Sequence, residues 1–292
     1  MLLHSLKKRL EDARNKHGVS WEVLERDYLI SWVLYGIAHD PYLKKGCVFK
    51  GGAALKKCFF GDYRFSEDLD FTLVESITEK TIFDAIKNVC RVAEELVNHY
   101  APITISSSIY REKQLHPNEQ FAFTIYGTFP WQRQPLTRIL IEITGDEEII
   151  NPINAMPILH EYGEPIPGQI QTYSLEEILS EKLRAILQKT ELLKSRGWSR
   201  SRSRDYYDIW RILEKYRDLL NFQGFQELLR RKCEKRKVAY RTVDDFFQPI
   251  MMQNIRSTWK SWLGPLVPHI PDFEWVETDL KLKLEELFQC TH

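Results

Sequence analysis

Two acidic residues, Asp68 and Asp70, lie two positions apart in the segment DLDFTLV at 68–74. Polar and apolar residues alternate in this segment, and a period of two predicts a β-strand with both carboxylates on one face. Two carboxylates on one face suit a hard divalent cation such as Mg²⁺, whose coordination is commonly completed by substrate phosphates. The alternative interpretation is an edge strand whose acids face solvent, because a D-x-D spacing alone is common.

Gly51 and Gly52 separate a short apolar run, CVF at 47–49, from a predicted short helix. Glycine lets the backbone approach a ligand closely, and the N–H groups that begin a helix attract phosphate. Lys50 and Arg64 supply nearby positive charge, which pairs with phosphate oxygens. Together with the paired acids, these residues predict a nucleotide-binding site.

The segment KGGAALKKCFFGDYRFSEDLDFTL, at 50–73, resembles the core motif of the AbiEii toxin family. These nucleotidyltransferase-like proteins are the toxins of bacterial toxin–antitoxin pairs. Three other segments resemble further elements of the family, in the same order: ERDY at 25–28, SEKLRA at 180–185 and SRDYYDI at 203–209. The resemblance extends over residues 20–215.

The resemblance implies a core like that of DNA polymerase β, which moves a nucleotidyl group from an NTP to an acceptor hydroxyl with Mg²⁺ or Mn²⁺. Asp68 and Asp70 match the metal-binding pair of such a core. Four residues are expected to be catalytic: Asp68, Asp70, Lys182 and Asp205. Six residues are expected to bind the nucleotide: Lys50, Gly51, Gly52, Arg64, Ser66 and Asp208.

Several of these roles have alternatives. A third metal-binding carboxylate is usual in polymerase-like cores, and the candidate is Glu142, in the alternating segment TRILIEIT at 137–144. An exposed strand glutamate is the other interpretation of this residue. Lys182 is expected to reach the triphosphate as a point charge. Asp205 and Asp208, at the start of a predicted helix, either contact base or ribose, orient Lys182, or stabilise the helix dipole.

Positive charge is concentrated in one part of the chain. Lys and Arg balance Asp and Glu at 41 each, yet residues 182–241 contain 18 Lys and Arg against 7 Asp and Glu. Within it, KSRGWSRSRSR at 194–204 suggests a flexible loop that holds RNA, with arginines on phosphates and a tryptophan on a base. The RNA-binding candidates are Trp198, Arg200, Arg202 and Arg204. A second basic run, at 230–241, is similar, and a solvated surface is the alternative for both.

The hydrophobic periodicity predicts an α+β protein with a mixed or antiparallel sheet. Strands are expected at 68–74, 103–110, 121–128 and 137–144, with helices at 2–15, 20–38 and 78–99. Further helices are expected at 174–189, 205–216, 223–235, 242–261 and 275–289. From this pattern, together with the core that the resemblance implies, we expect a nucleotidyltransferase-like α/β lobe at 1–150 and a helical lobe at 151–292 that completes the active site.

Composition excludes several classes of protein. The 292 residues are 43% hydrophobic and 12% aromatic, enough for a packed core rather than a disordered chain. No apolar stretch approaches the 20 or so residues of a membrane span, and no secretory signal is recognisable. The five cysteines form no C-x-x-C pair, so neither a zinc site nor a disulfide framework is indicated. We expect a cytoplasmic protein that does not associate with membranes.

The leading hypothesis for function is a toxin that transfers a nucleotidyl group from an NTP to an RNA acceptor, specifically the 3′ end of tRNA. The resemblance also implies a cognate protein antitoxin. A second hypothesis is the NTP-dependent modification of a protein hydroxyl, by nucleotidylation or phosphorylation. A third is an inactive core that serves as a binding module, although the presence of Asp68 and Asp70 disfavours it.

Overall fold

The computed structural model of the chain describes residues 3–110 and 119–289. The backbone forms two compact units. The first comprises Met1–Glu147 and Pro152–Tyr173, and the second comprises Glu148–Asn151 and Ser174–His292. The boundary predicted from the sequence lies at residue 150. In the structure, residues 152–173 also belong to the first unit.

A mixed sheet forms the framework of the first unit. Its strands in the described residues are β1 (Cys47–Lys50), β2 (Asp68–Leu73), β3 (Thr104–Ile109), β4 (Glu119–Thr128), β5 (Thr137–Thr144), β6 (Asn154–Pro157) and β7 (Gln169–Thr172). Their order is β3-β4-β5-β2-β1-β7-β6, in which β2–β5 and β1–β7 are parallel and the other pairs antiparallel. The predicted α+β class with a mixed sheet is confirmed. Because β2 is the middle strand, the edge-strand interpretation of its two acids is wrong.

Helices cover one face of this sheet and begin the chain. They are α1 (Leu6–His17), α2 (Trp21–His39), α3 (Leu43–Gly46), α4 (Gly51–Ala54) and α5 (Glu79–Val97), and a π-helix, Leu55–Phe60, continues α4. Helix α2 is buried over most of its surface and packs against α5 and β5. A Cβ at Gly36 of α2 would lie 2.5 Å from the carbonyl oxygen of Val89 in α5, so only glycine allows this close packing.

The second unit is helical, as predicted. Its helices in the described residues are α6 (Leu175–Arg196), α7 (Ser203–Lys215), α8 (Phe225–Lys235), α9 (Pro249–Leu263) and α10 (Phe273–Gln289). Ser174 caps α6, since its hydroxyl accepts a hydrogen bond from the backbone N–H of Glu177 at 3.1 Å. Among the residues described, no helix combines the length and hydropathy that a membrane crossing requires.

One predicted helix of this unit, at 242–261, is divided in the structure. A 3₁₀-helix, Val243–Phe247, precedes α9, which begins at Pro249. Proline has no backbone N–H to donate within a helix but is well placed in its first turn. Pro249 therefore starts a new helix instead of continuing the preceding one.

Candidate functional site

The turn between β1 and α4 brings Gly51 against the carboxylate of Asp70. Gly51 has φ of 79°, a left-handed conformation that favours glycine. A Cβ at this position would clash with Oδ2 of Asp70 and lie 3.2 Å from its Cγ. The backbone at Gly51 thus contacts one of the predicted catalytic acids directly.

Gly52 makes a second close contact, with the segment that precedes β2. A Cβ there would clash with Nη2 of Arg64 and lie 3.2 Å from Oγ of Ser66. Arg64 is buried, with 5% of its surface exposed, and its Nη1 donates a hydrogen bond to the carbonyl oxygen of Phe65 at 3.1 Å. A guanidinium group and a hydroxyl group therefore adjoin the glycine turn.

The predicted carboxylates lie on the middle of the sheet. Asp68 and Asp70 are half-buried and alternate with the fully buried Leu69 and Phe71, so both acids are on the opposite face of β2 from that core. Asp70 is directly opposite Glu142 in the parallel pair β2–β5. Since neighbouring strands lie about 4.8 Å apart, the backbones at Asp70 and Glu142 are close, and the three acids share one face of the sheet.

The oxygen ligands of this face suit a divalent metal, which is not itself part of the structure. Within residues 3–110 and 119–289, no group of three or more His, Cys, Asp or Glu side chains is arranged to hold a metal ion. Two carboxylates are nevertheless the donor set that Mg²⁺ takes when substrate phosphates and water supply the remaining ligands. Asp68 and Asp70 fit that description, and the role of Glu142 as a third ligand stays a prediction.

Lys50 lies beside these acids, opposite Asp70 in the antiparallel pair β1–β2. Its Nζ donates a hydrogen bond to Oγ1 of Thr144 at 2.8 Å and lies 5.8 Å from the centre of the Tyr173 ring. The hydroxyl of Tyr173 is in turn hydrogen-bonded to Oγ1 of Thr72 at 2.6 Å. Sequence reasoning found Lys50 but not its partners, Thr144 on β5 and Tyr173 directly after β7, because contacts between distant segments leave no local pattern.

Lys182, Asp205 and Asp208, predicted from the second and third family elements, meet in the second unit. Nζ of Lys182 lies 2.9 Å from Oδ1 of Asp205 and 2.6 Å from Oδ2 of Asp208. Asp208 is fully buried, which excludes a simple surface-capping role for it. Of the interpretations given for the two aspartates, the orientation of Lys182 is the one with direct contacts.

Arg202 adds a second cation to this cluster, because its Nη1 lies 2.9 Å from Oδ2 of Asp205. Burial alone would raise the pKa of Asp205. The positive charges of Lys182 and Arg202 outweigh burial and hold the pKa of Asp205 well below its usual range. Asp205 is therefore ionised throughout the physiological pH range.

The basic segment at 194–204 makes defined side-chain contacts. Helix α6 continues to Arg196, and Gly197 ends it. The guanidinium groups of Arg200 and Arg204 lie 5.2 and 5.4 Å from the ring centre of Trp262, a residue that sequence reasoning missed. Trp198 is 71% exposed. The segment thus presents cations beside aromatic rings, and its predicted role in holding RNA stays a prediction.

The second basic run is largely paired within the protein. Lys232 is buried, and its Nζ lies 2.5 Å from Oε1 of Glu177 and 2.9 Å from Oε1 of Glu181. Arg230 pairs with acids of its own helix, and Arg231 pairs with Glu148. Lys232 therefore stabilises the second unit and is not retained as part of an RNA-binding surface, whereas Arg230 and Arg231 are exposed and an RNA-binding role for them stays a prediction.

The architecture is similar to that of solved nucleotidyltransferase structures. MenT4, a nucleotidyltransferase toxin from Mycobacterium tuberculosis H37Rv, superposes with a TM-score of 0.59 at 17% identity, covering 92% of this chain and 84% of that one. A protein from H. pylori assigned as a nucleotidyltransferase superposes with a TM-score of 0.54 at 18% identity, covering 94% of this chain and 100% of that one. The chain therefore has an α+β nucleotidyltransferase fold.

Residues 32–279 match the family described as nucleotidyl transferase AbiEii toxin, type IV toxin–antitoxin system. The chain belongs to this family, as the resemblance of its motifs predicted. No match to the sequence was found among curated proteins.

Proposed function

We propose that this toxin transfers a nucleotidyl group from an NTP to an RNA acceptor, the 3′ end of tRNA. The observation that carries the proposal is the convergence on the Gly51–Gly52 turn of a carboxylate, a guanidinium and a hydroxyl, from Asp70, Arg64 and Ser66. Such a turn binds phosphates through backbone N–H groups and a cation, while the adjacent acids bind the metal that accompanies an NTP.

Asp68 and Asp70 would hold the Mg²⁺ or Mn²⁺, with Glu142 as the proposed third ligand. When bound, the metal supplies charge neutralisation for the triphosphate and activation of the acceptor oxygen. The protein's own residues would position the reacting groups. Nucleotidyl transfer depends chiefly on alignment and electrostatic stabilisation, so the rigidity of a middle strand such as β2 is an advantage.

Three cations have proposed roles in binding the nucleotide. Arg64, at the glycine turn, is suited to bidentate contact with phosphate oxygens. Lys50, fixed by Thr144, places its charge on the face of the carboxylates. Lys182, held by two aspartates, is the third, and its role as a point charge for the triphosphate follows from the resemblance to the family.

Charge in the second unit supports an RNA acceptor. Burial lowers the pKa of Lys189, and the neighbouring charges of Arg202, Arg200, Arg196 and Arg184 lower it further. These cations are close enough to repel one another. A polyanion that binds there neutralises them and thereby gains binding energy. Trp198 and Trp262 add surfaces for base stacking. Action on tRNA would place the protein in the cytoplasm.

The decisive experiment is a labelling assay. The protein is incubated with Mg²⁺ or Mn²⁺, total tRNA and each α-labelled NTP in turn, with Asp70→Asn as the control. Label in tRNA that is lost in the variant supports the proposal and identifies the nucleotide. Label in a protein would show the acceptor to be a protein hydroxyl. Absence of transfer to tRNA by folded protein that binds NTP would contradict an RNA acceptor.

A protein antitoxin is the second proposed partner, because the family is defined as half of a type IV toxin–antitoxin system. Co-expression with the neighbouring gene product should relieve growth inhibition by the toxin. Equal inhibition with and without that product would contradict this assignment.

A further inference from the structure

One turn of α2, Glu25-Arg26-Asp27-Tyr28, directs its polar side chains to several separate segments of the first unit. Glu25 is buried and accepts hydrogen bonds from four donors, in Trp21, Trp131, Gln132 and Thr137. Thr137 is the first residue of β5, the strand that carries Glu142. Tyr28 donates to Glu164, which precedes β7. This turn therefore connects α2 with the first residue of β5 and with the segment between β6 and β7.

Asp27 connects the same turn to the helical segment that follows the two glycines. Oδ2 of Asp27 lies 2.6 Å from Nζ of Lys57 in the π-helix and accepts a hydrogen bond from the hydroxyl of Tyr162 at 3.0 Å. Lys57 also donates to Oγ of Ser31 at 2.9 Å. Both ionised groups are buried, so removal of either partner would leave an uncompensated charge in the core.

Arg26 reaches the segment that carries Ser66. Its Nη1 lies 2.9 Å from Oε1 of Glu67, and the two side chains are 24% and 34% exposed. Glu67 stands between Ser66 and Asp68, the first residue of β2. Residues 61–67 lie outside any helix or strand, so side-chain contacts rather than a regular hydrogen-bond ladder fix their position.

We propose that Arg26 is a positioning residue, which holds the Arg64–Asp68 segment against the glycine turn through its ion pair with Glu67. The expected effect on kcat rests on the proposed function, whereas the expected effect on the position of the segment does not. Arg26 acts through Glu67, which directly precedes the first of the two acids on β2. Because the pair is partly exposed, its loss should loosen the segment without unfolding the protein, unlike loss of the buried Asp27–Lys57 pair.

The direct test is hydrogen–deuterium exchange of peptides that contain residues 62–68. In Arg26→Gln, exchange in these peptides should be faster than in the wild type, while peptides from β5 and α5 keep their protection. The charge-swapped double variant, Arg26→Glu with Glu67→Arg, should restore slow exchange. Arg91→Gln is the matched control, because Arg91 forms an exposed ion pair with Glu95 on α5 and should leave the 62–68 peptides unchanged.

The kinetic test uses the labelling assay. We expect kcat of Arg26→Gln to fall at least about tenfold, since misalignment of reacting groups is costly, while KM for the NTP changes less. The charge swap should recover part of the loss. Unchanged exchange at 62–68 would overturn the proposal whether or not the protein transfers nucleotides. The proposal would also be overturned if the activity of Arg26→Gln fell together with its melting temperature and the charge swap failed to restore the activity. Faster exchange in a variant of a protein that shows no transfer would instead uphold the positioning role and contradict the proposed function.

Discussion

The carboxylate of Asp70 occupies the space that a side chain at Gly51 would require. Asp70 lies on β2, and Gly51 directly follows the neighbouring strand β1 with positive φ. This contact joins the glycine turn, proposed to bind phosphate, to an acid that is proposed to bind the metal. Gly51 thus has two separate roles: it adopts a left-handed backbone conformation, and it leaves room for the carboxylate of Asp70. A second glycine that has only the first role permits a controlled test.

Gly51→Ala should abolish nucleotidyl transfer, because the new methyl group would displace the carboxylate of Asp70. Gly197→Ala is the matched control: Gly197 has a similar φ of 74°, but a Cβ there would meet no atom within 4 Å. Both variants should lose about 1–2 kcal/mol of stability from the left-handed backbone. Urea unfolding measures the stability of each variant, and the labelling assay measures its activity. Equal activities in the two variants would show that strain, not the contact with Asp70, matters.

Asp68→Asn and Asp70→Asn should each reduce kcat at least about 100-fold, because each would remove the charge of a proposed metal ligand. The isosteric amides should leave the melting temperature within a few degrees of the wild type. Glu75→Gln, at an exposed position just after β2, is the control for loss of a nearby negative charge. If either Asn variant retained full activity at limiting Mg²⁺, that aspartate would not be a metal ligand.

Lys182→Met should destabilise the protein by about 3–5 kcal/mol, because Asp205 and Asp208 would lose a shared cation in a buried site. Exposed pairs contribute far less, so Lys8→Met, which breaks the surface pair with Asp12, should leave the stability nearly unchanged. Chemical denaturation measures both. A small loss for Lys182→Met would indicate that water or other groups compensate the two acids.

The lowered pKa of Asp205 predicts a loss of stability in acid. The contribution of a carboxylate with a depressed folded-state pKa is complete above its unfolded value, about 3.9, and is lost as pH falls toward the folded value. Denaturation curves of the wild type should therefore fall below about pH 4 more steeply than those of Asp205→Asn. Parallel curves in this range would show that Asp205 is not held ionised by Lys182 and Arg202.

His160 predicts a second pH dependence, at higher pH. Burial, helped by the charge of Lys57, lowers the pKa of His160 to about 3. As pH falls below about 6.5, the unfolded chain takes up the proton first, so stability decreases by up to about 1.4 kcal/mol per pH unit. His160→Phe should flatten the curve between about pH 6.5 and 3, whereas a change at the exposed His269 should not. An unchanged slope in His160→Phe would contradict a neutral buried imidazole.

Much of the site was predictable from local sequence. The alternation around Leu69 and Phe71 fixes the shared face of Asp68 and Asp70, and the glycine pair marks the turn before α4. The pairing of β2 with β5 was not predictable, because the hydrophobic pattern of a strand specifies its faces but not its neighbours. Strands β6 and β7 also escaped prediction, since they are four residues each and lie in a proline-rich segment.

The basic segments show the limit of composition as a guide. Lys232 and Arg200 both lie in runs rich in Lys and Arg, yet Lys232 is buried against Glu177 and Arg200 is stacked beside Trp262. The partner of each lies more than fifty residues away along the chain. Only tertiary structure separates a cation that stabilises the core from one that remains available to a polyanion.

The parallel pairing of β2 with β5 has a consequence for the folding of the protein during its synthesis on the ribosome. The hydroxyl of Thr144 donates to the carbonyl oxygen of Phe71 across a sequence separation of 73 residues. At about 5–20 residues per second, several seconds of translation separate the synthesis of the two acids on β2 from that of the strand beside them. A nascent chain that ends before β5 lacks one neighbour of its middle strand. The proposed site, in which Glu142 of β5 lies opposite Asp70, therefore forms only after β5 has been made.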